Sequence, residues 1–569
     1  MKDSNEFPTS FGRDIFYQKY ALTQNETWHQ RAITVVDDVC GTMGGRRERP
    51  ILDKDSRDLL IKAITEFKFL PGGRYIYYAG RRAHFFNNCY LLRAEEDSRE
   101  EWASLVKRAM ACLMTGGGIG IDYSVLRPEG RLLTRTGGKA SGPVPLMSAV
   151  NEIGRNVMQG GARRSALYAS LNWQHDDVPR FLKAKNWHQQ QIVDSLTFWD
   201  AKQANFDFPA SLDMTNISLN YDNKFLEQVY DAPYSMIAYN DGIYNLPETF
   251  LQNCEQALST GEPGFSFNFG DKEEETLRNA CTEVTSCDDS DVCNLGSINM
   301  GNIESLKEFK DIIQVASKFL VCGTVRADLP YEKVARVREK NRRLGLGLMG
   351  IHEWLLKRGH TYEVNDELKT WLEVYRAESQ DAANRHCDHL YISRPVAYRA
   401  IAPTGTIGII AGTTTGIEPV FAVAYKRRYY VDGNRWKYQF VIEAVAERLI
   451  QMGVNPDAIE TSLDMAADYE RRIKFQADMQ DYVDMGISST INLPKWGSKE
   501  NNEDMVRDFG RTLASYAHRL RGFTCYPDSS RGGQPLSPIA YDEAVKHKGV
   551  VYEEADICDI TGKGGTCGG

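Results

Sequence analysis

Along residues 14 to 40, "DIFYQKYALTQNETWHQRAITVVDDVC", apolar residues recur at helical spacing in Trp28, Ile33, Val36 and Val39. Asn25 or Thr27 suits the N-cap, and the pattern predicts helix over this stretch. "MTGGGIGIDYS" and "MQGGARRSALYASL" behave differently, joining a glycine turn to a short apolar run as loops entering strands do. Between about 220 and 400, helical patterns alternate with short apolar stretches, which predicts an α/β architecture. After "INLPKW" comes another helical segment, "EDMVRDFGRTLASYAHRL", then "GFTCYPDSSRGGQPLSP". The chain closes on "ADICDITGKGGTCGG", whose glycines predict a mobile tail carrying Cys558 and Cys567. No internal repeat or heptad run interrupts this order.

Composition narrows the class. With 569 residues, 42% hydrophobic and 25% charged, the chain reads as an ordinary globular protein. No apolar run approaches the roughly 18 residues of a membrane span, and "MKDSNEFPTSFGRD" lacks the apolar segment of a secretory signal. A cytoplasmic chain with no membrane or nucleic-acid partner is expected, since the net charge of −9 also argues against an acidic surface or nucleic acid as ligand. Twelve cysteines are too sparse for a disulfide scaffold, so their value is chemical.

The densest chemistry is "RNACTEVTSCDDSDVCNLGSIN", residues 278 to 299. Residues two apart diverge on a helix but share a side of an extended segment, so Asn279, Cys281 and Glu283 share a face only if this stretch is extended. Such a row offers a sulfur able to carry a radical or act as nucleophile, a carboxylate able to accept a proton, and an amide. A small buried core thiol is the bland alternative. Zinc fits poorly, because Cys281, Cys287 and Cys293 are six apart with no close pair and no nearby histidine. A Cys–His hydrolase lacks a local nucleophile signature. "RRLGLGLMG" satisfies G-x-G-x-x-G at Gly345, Gly347 and Gly350, yet charged "REKNRR" precedes it where a dinucleotide fold needs an apolar strand. "PTGTIG", residues 403 to 408, offers backbone amides and hydroxyls suited to a phosphate, or an ordinary turn.

The Asn-x-Cys-x-Glu row followed by "CNLGSIN" resembles the active-site loop of ribonucleotide reductases. In the same family order stand "NNCYLL", "GGGIGIDYSVLRPEG", "GGKASGPVPL", "QGGARRSA", "RRLGLGLMG", "APTGTIGIIAGTTTGIEP" and "GFTCYPDSSRGGQP". The resemblance spans about residues 65 to 540. It implies a ten-stranded α/β barrel of two five-stranded parallel halves, antiparallel to each other, with a central finger loop and N-terminal helices. Residues 1–70 would form an N-terminal helical segment without an ATP-binding module, 71–540 the barrel, and 541–569 the redox tail.

By the same resemblance Cys281 is the thiyl-radical residue that removes the ribose 3′ hydrogen, Glu283 takes the 3′-hydroxyl proton and Asn279 orients the sugar. Cys89 and Cys293 are the dithiol that is oxidised as the 2′-hydroxyl leaves as water. Cys558 and Cys567 re-reduce that disulfide and are served by a thioredoxin- or glutaredoxin-type reductant; Cys525 is a rival shuttle. Pro403, Thr404, Gly405, Thr406 and Ile407 hold the substrate phosphate, with Gly118 as a backbone contact. Asp97, Arg127, Gln159 and Arg163 take a nucleoside triphosphate effector such as dTTP or dATP at a homodimer interface.

The adjacent tyrosines of relatives served by a separate metal-containing radical (beta) subunit are missing: the corresponding place reads "TCYP", with Tyr526 alone. This favours adenosylcobalamin, with a radical subunit acting through Tyr526 as the alternative. Tyr77–Tyr78 and Tyr429–Tyr430 fall at the wrong places and read as packing residues. A catalytically silent nucleotide-binding homologue and a thiol oxidoreductase are the rival functions. The whole reading requires Cys281 buried beside Glu283, with Cys89 and Cys293 close enough to join.

Overall fold

The computed structural model describes residues 6–43, 49–134, 136–157, 165–193, 195–205, 207–239, 242–432, 435–528, 530 and 536–553. Cys558, Cys567, Gln159 and Arg163 lie outside them.

The helix predicted over 14–40 is two helices, Ser10–Lys19 and Trp28–Val39. The break is local chemistry. The Leu22 N–H donates to the Glu26 carboxylate at 2.5 Å, and Thr27 opens the second helix with a capping box, accepting from the Gln30 N–H while the Gln30 side chain accepts from its own N–H. The first helix packs on Gly405–Ala411 through Gly12, where a Cβ would stand 2.8 Å from the Ile409 carbonyl oxygen.

Ten strands make one sheet: β1 (Phe69–Pro71), β2 (Cys89–Arg93), β3 (Gly118–Asp122), β4 (Leu167–Asn172), β5 (Thr215–Tyr221), β6 (Gly264–Phe267), β7 (Asp291–Asn299), β8 (Leu344–Met349), β9 (Thr490–Leu493) and β10 (Gly522–Pro527). Its order is β8-β7-β2-β3-β4-β5-β6-β10-β9, with β1 paired to β7. β2 to β6 are mutually parallel, as are β7 with β8 and β9 with β10. The two seams, β2 with β7 and β6 with β10, are antiparallel. Two isolated parallel bridges, Leu346 with Arg399 and Ile401 with Ile487, continue the pairing beyond β8.

Parallel neighbours require crossovers, and helices such as Arg99–Met114, Val144–Asn156, Leu306–Arg326 and Val506–Ala517 supply them. The first is capped by Ser98, whose hydroxyl accepts from the Glu101 N–H. Helices on one face and the site on the other leave the central strands little solvent: every residue of β7 and β8 is buried. Among the described residues no helix is long and apolar enough to cross a membrane.

Candidate active site

The stretch expected to be extended is instead the tip of a hairpin. Leu277–Arg278 pairs antiparallel with Thr285–Ser286, and between them the chain turns: the Thr282 N–H donates to the Asn279 carbonyl at 3.0 Å and Thr282 has φ of 68°. The turn, not a pleat, assembles the row. The Asn279 amide nitrogen donates to Glu283 Oε2 at 2.8 Å and to Cys89 Sγ at 2.9 Å, while its oxygen accepts from the Val284 N–H at 3.0 Å.

The hairpin is anchored at its base. Arg278, 1% exposed, donates to Asn268 Oδ1 at 2.6 Å and to the carbonyls of Phe267 and Arg521. Burial, reinforced by the Arg521 cation, pulls it down to about 9. Burial opposes ionisation of Glu275, but Arg521, Lys272 and Arg343 outweigh it and hold that carboxyl at about 2. At the tip, Asn216 of β5 donates to the Ala280 carbonyl at 3.1 Å and the Gly486 N–H to the Glu283 carbonyl at 2.7 Å. Glycine makes the passage possible, since a Cβ on Gly120 would lie 1.8 Å from the Arg278 carbonyl oxygen. Gly120→Ala is expected to displace the hairpin and cost on the order of 3 kcal/mol, measured by denaturant unfolding, with activity lost even where the variant folds.

Cys89 and Cys293 stand directly opposite each other across the β2–β7 seam. Opposed residues of an antiparallel pair have Cα atoms about 4.5–5.5 Å apart, inside the range a disulfide spans. Both are reduced, at 5% and 0% exposure, and burial first, then the Glu283 charge, pushes both thiols well up. Gly345 of β8 leaves the space: its Cβ would be 3.1 Å from Cys293 Sγ.

A cavity of about 590 Å³ opens on this tip. It gathers Asn279, Cys281, Glu283, Cys89, Gly118 and the turn Pro403, Thr404, Gly405, Thr406 and Ile407. Cys293 sits behind Cys89. The expectation that Cys281 is buried is corrected: it is exposed, because it sits on the outer side of the turn and faces the cavity, whereas Asn279 and Glu283 are turned inward at 1% each. Thr404 takes the left-handed conformation at the start of Gly405–Ala411, and its hydroxyl accepts from the Gly416 N–H at 2.9 Å. The N–H groups of Gly405, Thr406 and Ile407 therefore start a helix, where no intrahelical partner exists.

Asp97 and Arg127 are not in the cavity; they pair with each other, Arg127 Nε donating to Asp97 Oδ2 at 2.5 Å. Tyr526 lies on β10 opposite Asn492 and does not line the cavity either. Cys525 is buried on the same strand with its thiol on the Ala257 carbonyl. Tyr77, read as packing, lines the cavity with the Arg81 guanidinium 4.4 Å over its ring. The sequence reading missed Arg74, Asn88 and Ser297, which also line it. Asn88 was within reach, being next to Cys89 in "NNCYLL"; its buried side-chain oxygen has no hydrogen-bond partner.

Burial pushes Glu283 up to about 7, against the opposing pull of the Asn279 amide. If its carboxylate accepts a proton during turnover, the rate should rise through about pH 7, and Glu283→Gln should remove that limb and about 10²–10⁴ of rate, read from pH–rate profiles of kcat. Stability runs the other way. The folded state holds the proton more tightly than the unfolded chain, so stability falls as pH rises from about 4.5 to about 7. The glutamine variant should lack this loss.

The family described as "Ribonucleotide reductase, barrel domain" matches residues 87–377 and 394–526. A vitamin B12-dependent ribonucleoside-diphosphate reductase of Mycobacterium tuberculosis is 26% identical over 530 residues, covering 84% of this chain and 72% of that protein. Its namesake in Thermoplasma acidophilum is 25% identical over 538 residues, covering 84% and 66%. A Mycobacterium phage D29 protein that bears the name "Putative adenosylcobalamin-dependent ribonucleoside-triphosphate reductase" is 26% identical over 547 residues, covering 81% and 73%.

Proposed function

The chain belongs to the ribonucleotide reductase barrel-domain family, ribonucleotide reduction is its reaction, and from that premise we propose how its own residues perform it. The observation that carries the reading is the meeting of the Asn279–Cys281–Glu283 tip with Cys89 in one cavity, Cys293 being the register partner of Cys89 across the seam.

The substrate is a ribonucleoside di- or triphosphate. Its phosphates meet the N–H groups that open Gly405–Ala411, and Gly118 lets the nucleotide approach the backbone of β3. The Cys281 thiyl takes the 3′ hydrogen. Glu283, poised near neutrality, accepts the 3′-hydroxyl proton, and Asn279 holds both this carboxylate and the Cys89 sulfur at fixed distance from the sugar. The 2′-hydroxyl leaves as water with one proton from the dithiol, the other dithiol hydrogen goes to C2′, and the two electrons reduce the sugar as the Cys89–Cys293 bond forms, while Glu283 returns its proton to the 3′ oxygen. Cys281 returns its hydrogen to C3′.

The isolated bridges at Leu346–Arg399 and Ile401–Ile487 support a closed barrel, with the backbone at 399–401 as the strand linking β8 to β9. Each half then has five parallel strands, and the hairpin threads the centre.

Adenosylcobalamin is the proposed radical source. The cavity continues past Cys281 to Gln18–Ala21, Gly72–Arg74, Tyr77 and Arg81. This wall suits an adenosyl group: the Tyr20 and Tyr77 side chains line it, and the Arg74 and Arg81 guanidiniums bring donors that ring nitrogens and ribose oxygens can accept from. When bound, the cofactor supplies an organic radical by homolysis of its cobalt–carbon bond. A separate radical subunit acting through Tyr526 would have to cross from a strand residue that does not line the cavity. Cys558 and Cys567 are the proposed shuttle, thioredoxin or glutaredoxin the external reductant, and Asp97 and Arg127 contacts for a nucleotide effector at a homodimer interface.

The test is to supply the purified chain with adenosylcobalamin, dithiothreitol and either di- or triphosphates, with and without dTTP or dATP. Deoxynucleotide formation is expected. Product that appears only after a metal-containing radical protein is added would overturn the cobalamin reading.

A further inference from the structure

We propose that Cys40 and Cys322 are a disulfide-forming thiol pair, with His386 as the base that activates Cys322 and a hydroperoxide as the oxidant. The three residues come from three helices. Cys40 closes Trp28–Val39, Cys322 lies in Leu306–Arg326 and His386 in Asp366–Leu390. The Cys40 thiol sits against the Cys322 thiol, and Cys322 Sγ is 3.5 Å from His386 Nε2. Cys322 is 0% exposed, while Cys40 and His386 are each 6% exposed, so the cluster is approached from their edge. It is separate from the Cys89–Cys293 pair, which lies on strands facing the cavity.

A thiol that merely fills core space needs no imidazole and no second thiol. Here the arrangement divides the proton. Burial opposes a thiolate at Cys322, but the hydrogen bonds from Cys40 and His386 outweigh it and bring that thiol down to about 6. Burial pushes Cys40 well up, and Cys322 is the thiol that touches the imidazole, so Cys322 gives its proton to His386 and is the nucleophile while Cys40 keeps its own.

With hydrogen peroxide, the Cys322 thiolate attacks one peroxide oxygen. An S–O bond forms, the O–O bond breaks, and the departing hydroxide takes from His386 the proton that His386 accepted from the Cys322 thiol, and leaves as water. The Cys40 sulfur then attacks Cys322: the S–S bond forms, the S–O bond breaks, and a second water leaves with the Cys40 proton. Two thiols lose two electrons and two protons, and the peroxide becomes two waters. The product joins the N-terminal helix to the helix layer behind β7.

The unaltered, purified chain is treated with hydrogen peroxide, alkylated in denaturant and mapped by mass spectrometry with and without reduction. A reduction-sensitive peptide pair joining Cys40 to Cys322 is expected, forming at least about tenfold more slowly in His386→Gln. In Cys40→Ala, Cys322 should be trapped by dimedone as the sulfenic acid. The proposal is overturned if both cysteines stay alkylatable at peroxide doses that already join Cys89 to Cys293. It is equally overturned if the link forms at the same rate without His386. Mapping the unaltered chain decides the first point without requiring any variant to fold.

Discussion

Cys281→Ser is expected to stop deoxyribonucleotide formation, with a loss of at least about 10⁴ in kcat. Serine keeps a side chain of nearly the same shape on the turn, so Asn279 can still hold Glu283 and Cys89, and the cavity should still take nucleotide. What changes is the bond to hydrogen. An O–H bond is considerably stronger than an S–H bond, so the radical cannot be placed on residue 281 at comparable cost. A penalty of about 5 kcal/mol already accounts for four orders of magnitude. The check is turnover together with equilibrium nucleotide binding: activity lost with binding kept is the expected pair. Undiminished turnover would remove Cys281 from the chemistry and take the proposed mechanism with it.

The second large effect concerns the reductant. Cys89→Ser and Cys293→Ser should each lower steady-state product formation by roughly 10³ or more, because removing the 2′-hydroxyl as water consumes two electrons and one remaining thiol cannot form the disulfide that supplies them. Hydrogen removal at C3′ does not use this pair. Both variants should therefore still release tritium from 3′-tritiated substrate, whereas Cys281→Ser should not. The split separates the sulfur on the tip from the sulfurs on the seam. Equal loss of tritium release in all three variants would mean that the seam cysteines only support the tip.

How much of this was legible follows from the kind of information each feature needs. The alternation of helical and short apolar segments was enough for an α/β chain, because parallel strands buried on both faces read as brief apolar runs between amphipathic helices. The resemblance to ribonucleotide reductases singled out 279, 281, 283, 89 and 293 without coordinates, and the fold places the first four on one cavity with 293 opposite 89. Their shape was misjudged. Two-residue spacing suggested an extended row, but Thr282 at positive φ turns the chain, and a hydrogen bond from Asn279 to Glu283 brings the groups together instead. Cys281 consequently faces the cavity rather than the core. Over 14–40, Thr27, one of the two caps offered, does open a helix at Trp28; what the pattern did not carry is the break after Lys19 that ends a first helix.

Linear order alone, then, determined which reactive groups the chain owns and in what succession, because those depend on residue chemistry that survives unfolding. Folding decided which of them meet. The pairing of Cys89 with Cys293 across a seam joins positions about two hundred residues apart, the neutral-range Glu283 depends on burial, and Arg74, Asn88 and Ser297 join the cavity from three separate segments. Register, desolvation and long-range contact are properties of the packed chain, so no local pattern carries them.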